Sequence, residues 1–397
     1  MEIWVFFNFS SDISIWNKIG HIMHNYQNLQ LYSVNVKIFL KFGFIGSASK
    51  MKMSLMALVP FITEIGQLFN LFVTLDKDIS ETGLNFFFLG VVTSGIIRQF
   101  IITALKDEKY VRLLRWVECW YHELERSGNP QILGKLQDIT KRAQTLTRIG
   151  FYAACIGMVG AFSFPFSFEE RKFVVDVSYP FFDVKQTPFY EFFFLLQALV
   201  LVPTFCCVYL PFTNLLITFL MFGEVVLLDL RLKLNNINKN DETVMLRELK
   251  ECIAYHKKII EFRNDVEDLV ALVNFFDVAL FGLMFCMMLF FISMVDDLQS
   301  ILTALIFIGF TFYTIAISYY HANKFTNESF EICYAAYNTP WYNGNLQMRK
   351  CVAIMIARSQ KPLQITAGGL YPMTLETFQA IVRISYSYFS LLQGLNQ

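Results

Sequence analysis

The most unusual chemistry of this chain is the presence of ionisable side chains within apolar stretches, and three of them stand out. Glu64, Arg98 and Arg383 stand among mainly hydrophobic neighbours. If these stretches cross a bilayer, a charge near the centre costs about 2.5–3.5 kcal/mol on insertion scales. Each of the three groups must therefore be neutralised, paired or exposed to water.

The sequence leaves alternatives open for each of them. Glu64 is expected to be protonated, to face water, or to pair with a base such as Arg98. Arg98 lies about 7 Å from the centre of its stretch at 1.5 Å per residue. It either extends its long side chain to the membrane surface or pairs inside the protein. Arg383 faces either a water-lined cavity or a neighbouring helix.

Catalytic and metal-binding motifs are missing from the sequence. His21 and His24 have a His-x-x-His spacing but no acidic or cysteine partner close by. The pair His122-Glu123 lacks the second histidine that a zinc peptidase needs. We therefore expect no enzyme, no metal site and no cofactor.

Seven apolar stretches dominate the organisation of the 397 residues, of which 55% are hydrophobic. A bilayer core about 30 Å thick requires roughly 20 apolar residues per helix. The sequence predicts an all-α integral membrane protein with seven transmembrane helices, namely Ser54–Leu75, Thr82–Leu105, Ile149–Phe168, Phe192–Leu216, Val270–Met294, Leu298–Tyr320 and Pro372–Gln393.

The basic residues fall on alternate sides of these spans. Of the 33 Lys and Arg residues, 27 lie in the leader and in the loops after spans two, four and six, and four lie in the other loops. Cytoplasmic loops carry the positive excess, so we expect a cytosolic amino terminus and an extracellular carboxyl terminus. The formal net charge of zero gives no electrostatic support for nucleic-acid binding.

The pattern also predicts a domain organisation. We expect a cytosolic leader at 1–53, then a six-helix transmembrane bundle at 54–322 with helical cytosolic loops at 106–148 and 221–268. A cytosolic amphipathic anchor follows at 323–371, where Gly368-Gly369 is predicted to end a helix. The last helix and a short extracellular tail occupy 372–397.

An ordered set of short motifs lies in the last 60 residues. Tyr337-Asn-Thr-Pro-Trp-Tyr342 is followed by Ala367-Gly-Gly-Leu-Tyr-Pro-Met373 and then by Ser385-Tyr-Ser-Tyr-Phe-Ser-Leu-Leu392. On a seven-span chain of this length, the set resembles the insect odorant receptors. The loop between spans four and five is too short for the shared co-receptor of that family, so the resemblance is to an odorant-specific tuning subunit.

The resemblance implies a function. It predicts an odorant-gated, non-selective cation channel that forms a heterotetramer with the co-receptor in the plasma membrane of sensory-neuron dendrites. Its ligand would be a volatile, apolar small molecule bound in the outer half of the bundle. The alternatives are a gustatory-type receptor channel and a seven-span receptor that signals through a cytosolic partner.

In the family, the last helix of each subunit lines a central pore with a gate near its outer end. With Leu391 as the gate, a turn of 100° per residue places three more residues on the same face, namely Leu395, Tyr388 and Ile384. The same geometry turns Tyr386, Phe389 and Gln393 back toward the bundle. Trp341 and Tyr342 in the anchor are predicted to contact another subunit.

The resemblance also suggests which residues contact the ligand. These come from spans two, three and four and from the last helix: Phe86, Phe87, Gly90, Gly157, Gly160, Ala161, Phe164, Tyr190, Phe194, Gln197 and Tyr386. The small residues of span three either make room for a ligand or permit close helix packing.

Overall fold

A computed structural model describes residues 31, 50–74, 79–101, 107–163, 173, 175–181, 183–203, 208–237, 241–296 and 298–395. Most of the predicted leader and the candidate ligand residue Phe164 lie outside these ranges. Gly157, Gly160 and Ala161 lie on a helix whose course is described, without their local surroundings.

The described residues form ten α-helices, a short 3-10 helix (Trp341–Asn343) and two short strands. The helices are α1 Lys50–Thr74, α2 Ile79–Phe100, α3 Asp107–Arg126, α4 Pro130–Ser163, α5 Phe189–Pro203, α6 Leu210–Asn235, α7 Glu242–Met294, α8 Leu298–Tyr337, α9 Leu346–Ser359 and α10 Leu375–Leu395. The strands are β1 Thr366–Ala367 and β2 Tyr371–Pro372, which pair antiparallel.

Each predicted span overlaps a helix, and span four overlaps two. The 53 residues of α7 extend for about 80 Å at 1.5 Å per residue, far more than a 30 Å bilayer core. Among the described helices, α7 and the part of α8 that begins at Ser300 are each long and apolar enough alone to cross a membrane. At one end of the bundle α4, α7 and α8, with 34, 53 and 40 residues, thus extend beyond the predicted membrane spans.

We call that end, formed by residues 107–148, 227–268 and 324–371, the anchor end. The opposite end, where α1 joins α2, α4 joins α5 and α7 joins α8, is the loop end. Span four is interrupted, because α5 ends at Pro203 and α6 begins with Pro211 in its first turn. Proline lacks the N–H that helix continuation requires, which accounts for a boundary between two helices at this place.

The anchor end has a well-packed core. Trp120 of α3 is almost fully buried, donates a hydrogen bond to the Tyr255 hydroxyl (3.1 Å) and contacts Phe222 and Phe262 edge to face. Burial lowers the pKa of His256 to about 4, and the charge of Arg358 acts in the same direction. This imidazole is therefore neutral at pH 7, as suits a residue within an apolar core.

The start of α7 has a clear local cause. Asp241 is its N-cap, and its carboxylate accepts hydrogen bonds from the backbone N–H groups of Thr243 (2.8 Å) and Val244 (3.3 Å). A hydrogen bond from the Thr243 hydroxyl (2.7 Å), together with these backbone bonds, holds the pKa of Asp241 below its ordinary value. A capping side chain of this kind satisfies donors that have no partner inside the helix.

A strap of residues 360–374 joins α9 to α10 and is fastened along α7. Arg263 donates to the Gln364 carbonyl (2.6 Å), and Glu267 accepts from the Thr366 N–H (2.9 Å). Gly368 donates its N–H to the Ala271 carbonyl (2.9 Å). The strap therefore fixes the point from which α10 departs.

Gly368-Gly369 forms the turn of the β1–β2 hairpin, so the prediction that it ends a helix was wrong. Both residues have positive φ, +65° and +76°, a region open to glycine and costly for other residues. An added Cβ at Gly368 would also lie 3.0 Å from the Phe275 side chain. Both constraints require glycine at Gly368.

We expect Gly368→Ala to lower the free energy of unfolding by about 1–2 kcal/mol, because alanine is strained in the left-handed region. Thermal unfolding of the purified protein in detergent measures the change. Gly134→Ala is the matched control, since Gly134 lies in α4 with no atom within 4 Å of an added Cβ. Equal melting temperatures for the two variants would show that an alanine side chain at position 368 does not strain the β1–β2 turn.

Candidate functional site

An ion pair lies in the interior of the bundle, between α2 and α7. Arg98 bonds both carboxylate oxygens of Asp277, with Nη1–Oδ1 at 3.0 Å and Nη2–Oδ2 at 2.6 Å. Ser94 adds a hydrogen bond to the same carboxylate (2.8 Å). Arg98 is only 2% exposed, so its side chain does not reach the surface.

The pairing of Glu64 with Arg98, one of the alternatives that the sequence left open, is not found. Glu64 instead accepts a hydrogen bond from the Thr93 hydroxyl, while Asp277, which the sequence reasoning missed, pairs with Arg98. A signal for it exists in the sequence. Arg98 lies seven residues before Leu105 and Asp277 lies seven residues after Val270, so the two groups stand at the same depth from one end of their predicted spans.

A small polar cavity of about 30 Å³ adjoins this ion pair, enough space for a water molecule. The Arg98 guanidinium carbon lies 4.3 Å above the ring centre of Tyr209 on the cavity wall. The Tyr319 hydroxyl and the Arg98 Nε atom are buried and have no hydrogen-bond partner within the described residues. The wall also includes Ile381 of the last helix. The polar interior of the bundle therefore extends to α10.

The last helix α10 is attached to the bundle along one face. Phe378 contacts Phe281, Phe312 and Tyr319, with ring centres 6.4, 5.2 and 5.6 Å apart. Ser385 is buried and lies against Gly282 of α7. These contacts join α10 to α7 and α8.

Three of the four predicted gate residues are exposed and lie outside that attached face. Ile384, Tyr388 and Leu391 are 54%, 61% and 58% exposed in the single chain. Leu395 lies in the last turn of α10. A contiguous patch of exposed apolar side chains marks a surface that contacts something else. In a membrane protein such a patch faces lipid or another subunit.

Two residues predicted to turn toward the bundle do not. Tyr386 is 60% exposed and Gln393 is exposed as well, because the attached face is centred on Ile381 and Ser385. At 100° per residue, Tyr386 and Gln393 lie beyond its edge. Phe389, by contrast, is half-buried as expected. Tyr386 thus stands apart from the other candidate ligand residues.

A polar stripe on α10 was not foreseen. Arg383, Ser387 and Ser390 are all exposed and lie on the side most distant from α7. The hydroxyl of Ser387 donates to the Arg383 carbonyl (3.0 Å), and that of Ser390 donates to the Tyr386 carbonyl (3.1 Å). Among the described residues, the Arg383 guanidinium therefore has no ion pair or hydrogen bond to a neighbouring helix.

Near the loop end, residues 175–179, which we call the plug, lie between α1, α2 and α5. The side-chain amide of Gln197 pairs with the backbone of Val175 through two hydrogen bonds, of 2.7 and 3.3 Å. Ser178 donates its N–H to the Gly66 carbonyl (3.0 Å) and its hydroxyl to Asn70 (2.7 Å). The plug is therefore fastened to two helices by polar contacts.

The structure divides the predicted ligand residues into two groups. Tyr190 and Phe194 of α5 stack on each other with ring centres 6.0 Å apart, beside Phe173 and Phe162. The plug lies between this group and α2, since its Val175 packs on Val92.

Phe87 and Gly90 of α2 face α7 instead, while Phe86 is half-buried. Gly90 allows α2 to pack closely against α7, because an added Cβ would lie 2.5 Å from the Met284 sulfur. In the anchor, Trp341 is half-buried and Tyr342 is 64% exposed.

Sequence comparisons place the chain among known proteins. A family model described as 7tm Odorant receptor matches residues 78–386. Odorant receptor Or2 of Anopheles gambiae is 30% identical over 325 residues, which cover 80% of this chain and 85% of that protein. Odorant receptor 10 of Aedes albopictus is 28% identical over 383 residues, 94% and 99% of the two chains.

The fold is also similar to a solved structure. Olfactory receptor OR5 from Machilis hrabei in complex with eugenol superposes with a TM-score of 0.76 at 16% identity, over 86% of this chain and 88% of that one. A second structure of OR5 from Machilis hrabei superposes with a TM-score of 0.70. The seven-transmembrane architecture predicted from the sequence is thus confirmed.

The buried ion pair gives a stability test. Arg98→Met leaves the half-buried Asp277 carboxylate without its partner, so we expect the free energy of unfolding to fall by about 3 kcal/mol, the lower end for a buried pair. The double variant Arg98→Met, Asp277→Leu removes both charges and should recover most of that loss. Thermal unfolding in detergent provides the measurement.

Arg142→Met is the control, because it breaks an exposed pair with Asp138 (2.9 Å) that is worth less than about 1 kcal/mol. If Arg98→Met destabilised the protein no more than Arg142→Met, the interior pair would not be a stabilising contact.

Proposed function

This chain belongs to the seven-transmembrane odorant receptor family of insects, and from that premise we propose that it is an odorant-gated, non-selective cation-channel subunit. The observation that carries the proposal is the one-sided attachment of α10. A helix held to its own bundle along one face, with apolar side chains exposed beside that face, is suited to line a pore between subunits. The family membership supplies the ligand-gated activity.

In the proposed channel, Leu391 and Leu395 from each subunit form an apolar ring that blocks ions by excluding water. Ile384 and Tyr388 continue the same surface toward the middle of α10. The polar stripe of Arg383 and Ser387 lies next to this surface, 100° or less away around the helix. A small rotation of α10 would therefore exchange apolar for polar side chains in the pore.

The proposed ligand site lies near the loop end, between α2, α4 and α5. Aromatic side chains such as Phe86, Tyr190 and Phe194 suit an apolar ligand, and the plug lies between the α2 and the α5 side chains of this set. The solved OR5 structure contains eugenol, a small aromatic molecule. We assign this chain a volatile, apolar ligand of comparable size.

Gln197 has a different role from the one its polarity suggests. Its amide is fully engaged by the Val175 backbone, so it holds the plug in place and is not free to bind a ligand. A ligand that displaces the plug would have to break these two bonds. Gln197, which was predicted to contact the ligand directly, is therefore proposed to hold the plug in place beside the ligand site.

Ligand binding opens the pore only if the open state binds the ligand more tightly than the closed state. The route proposed here runs from α2 through the ion pair with Asp277 of α7 to the cavity wall, where Ile381 belongs to α10. The first step of that route is the hydrogen-bonded ion pair of Arg98 and Asp277, and the last is the place of Ile381 in the cavity wall.

The proposed assembly is a heterotetramer with the family co-receptor in the plasma membrane of sensory-neuron dendrites. The exposed Tyr342 and the half-buried Trp341 are proposed as contacts between subunits at the anchor end. Within this orientation the anchor end is cytosolic and the tail of α10 is extracellular, as the distribution of basic residues predicts.

The decisive experiment records whole-cell current from cells that express this chain with and without a generic insect co-receptor, while a panel of volatiles is applied. We expect a fast ligand-evoked cation current only with the co-receptor, unchanged when nucleotide signalling is blocked. A matched control expresses the co-receptor alone.

Two results would contradict the proposal. Ligand-evoked current from this chain alone would favour the gustatory-type alternative, in which the channel needs no co-receptor. A response that disappears when G-protein and nucleotide signalling are blocked would favour a receptor that acts through a cytosolic partner. Surface labelling of the expressed chain ensures that a negative result reflects function.

A further inference from the structure

A charged groove lies between α3 and α7 at the anchor end. Its volume is about 420 Å³, within the range of about 300–1,000 Å³ typical of small-molecule sites. It is lined by four residues from each helix, namely Lys109, Arg112, Leu113 and Trp116 from α3, and Glu261, Asp265, Asp268 and Leu269 from α7.

The two walls carry opposite charges. Both bases belong to α3 and all three acids belong to α7, and Lys109 and Asp268 meet at 2.6 Å. Both of these side chains are at least half exposed, so their pair is at the rim and can open for a ligand at small cost. A ligand that satisfies both walls must carry a negative and a positive group.

The aromatic side chain in the groove narrows the ligand class further. Trp116 is half-buried and stacks on Trp120 with ring centres 5.6 Å apart. Beside it, Glu261 and Asp265 supply carboxylates. An aromatic face together with carboxylates is a favourable site for an ammonium group, while Arg112 and Lys109 suit a phosphate.

The groove adjoins the membrane boundary. Asp268 lies two residues before the span that starts at Val270, and Lys109 lies four residues after the end of span two at Leu105. At 1.5 Å per residue along α7, Asp268 is about 3 Å from the apolar core, and Lys109 lies at the same level because the two side chains meet. The headgroup layer on each side of a bilayer is about 5–7 Å thick, so the groove opens into it.

Above the groove the surface of α7 becomes apolar. Leu272, Phe275, Ala279 and Leu283 follow Asp268 at helical spacings of three and four, and all four are exposed. Leu272 is 46% and Leu283 is 47% exposed. A molecule with its polar part in the groove would therefore find an apolar track for a hydrocarbon chain along the same helix.

We propose that this groove binds one zwitterionic phospholipid. Its phosphate contacts Lys109 and Arg112, its ammonium group lies against Trp116 and the carboxylates of Glu261 and Asp265, and one acyl chain follows Leu272 and Leu283. A lipid with a purely anionic headgroup would bring its charge near three carboxylates and is disfavoured. The inference concerns lipid binding and stands apart from the channel activity proposed above.

The test uses native mass spectrometry of the purified, delipidated full chain in detergent. Dioleoylphosphatidylcholine and dioleoylphosphatidylglycerol are added separately, and bound lipids are counted. We expect one phosphatidylcholine retained in preference to phosphatidylglycerol. Arg112→Gln with Asp265→Asn removes one charge from each wall and should weaken phosphatidylcholine binding roughly tenfold or more.

The matched control is Arg142→Gln with Asp138→Asn, which removes an exposed base and acid from α4 and should leave binding unchanged. Glu261→Gln is a second, single variant at an exposed position, in case the double variant folds poorly. Retained phosphatidylcholine binding in the folded groove variants would overturn the proposal, as would equal or tighter binding of phosphatidylglycerol by the unmodified chain.

A competition experiment separates a lipid from a free headgroup. Glycerophosphocholine, which lacks acyl chains, is added to the unmodified chain with phosphatidylcholine bound. We expect displacement only at much higher concentration than phosphatidylcholine itself requires, because the apolar track of α7 contributes to lipid binding. Equal affinity would show that the site takes soluble headgroups and would overturn the lipid assignment.

Discussion

A guanidinium inside a membrane bundle is stable only when an acid and further acceptors surround it, and in this chain Asp277 and Ser94 surround Arg98. That requirement fixes the depth of α2 against α7 and leaves little freedom for either helix to slide. Tyr209 of the segment before α6 covers the guanidinium. Five helices and the strap surround the cavity, and these contacts hold three of the helices, α2, α6 and α7, in one arrangement.

The attachment of α10 follows from this interior. Its aromatic residue Phe378 packs into rings from α7 and α8, and its Ile381 forms part of the cavity wall. The strap fixes where the helix begins, since Gly368 is bonded to the backbone of α7. A helix fixed at its start and along one face can still rotate by a small angle at its far end. That is the kind of motion that gating of a pore by α10 requires.

The helices were predictable because their causes are local. Asp241 caps α7, Pro203 and Pro211 mark the interruption of span four, and the long apolar runs define the remaining spans. The orientation of side chains between helices was less predictable. Tyr386 was expected against the bundle, and the helical period alone cannot say which residue stands at the centre of the attached face.

Long-range partners were the least predictable part of the candidate site. Asp277 lies among the aromatic residues of span five and was not predicted as a partner of Arg98. The two residues are nevertheless at the same distance, seven residues, from one end of their predicted spans. The plug was missed because it has no periodic pattern. It is held by polar contacts to Gln197 and to the backbone of Gly66, and such contacts between residues far apart in sequence leave no local signature.

The most direct test of the central claim, that the free surface of α10 beside the attached face lines a gated pore, is ligand-free current in cells that express Leu391→Ser with the co-receptor. The account predicts a raised current without ligand, because a hydroxyl in the apolar ring stabilises water in the closed pore. Leu392→Ser is the control, since Leu392 is half-buried on the attached face. An unchanged current from Leu391→Ser, in channels that still open to ligand, would contradict the account.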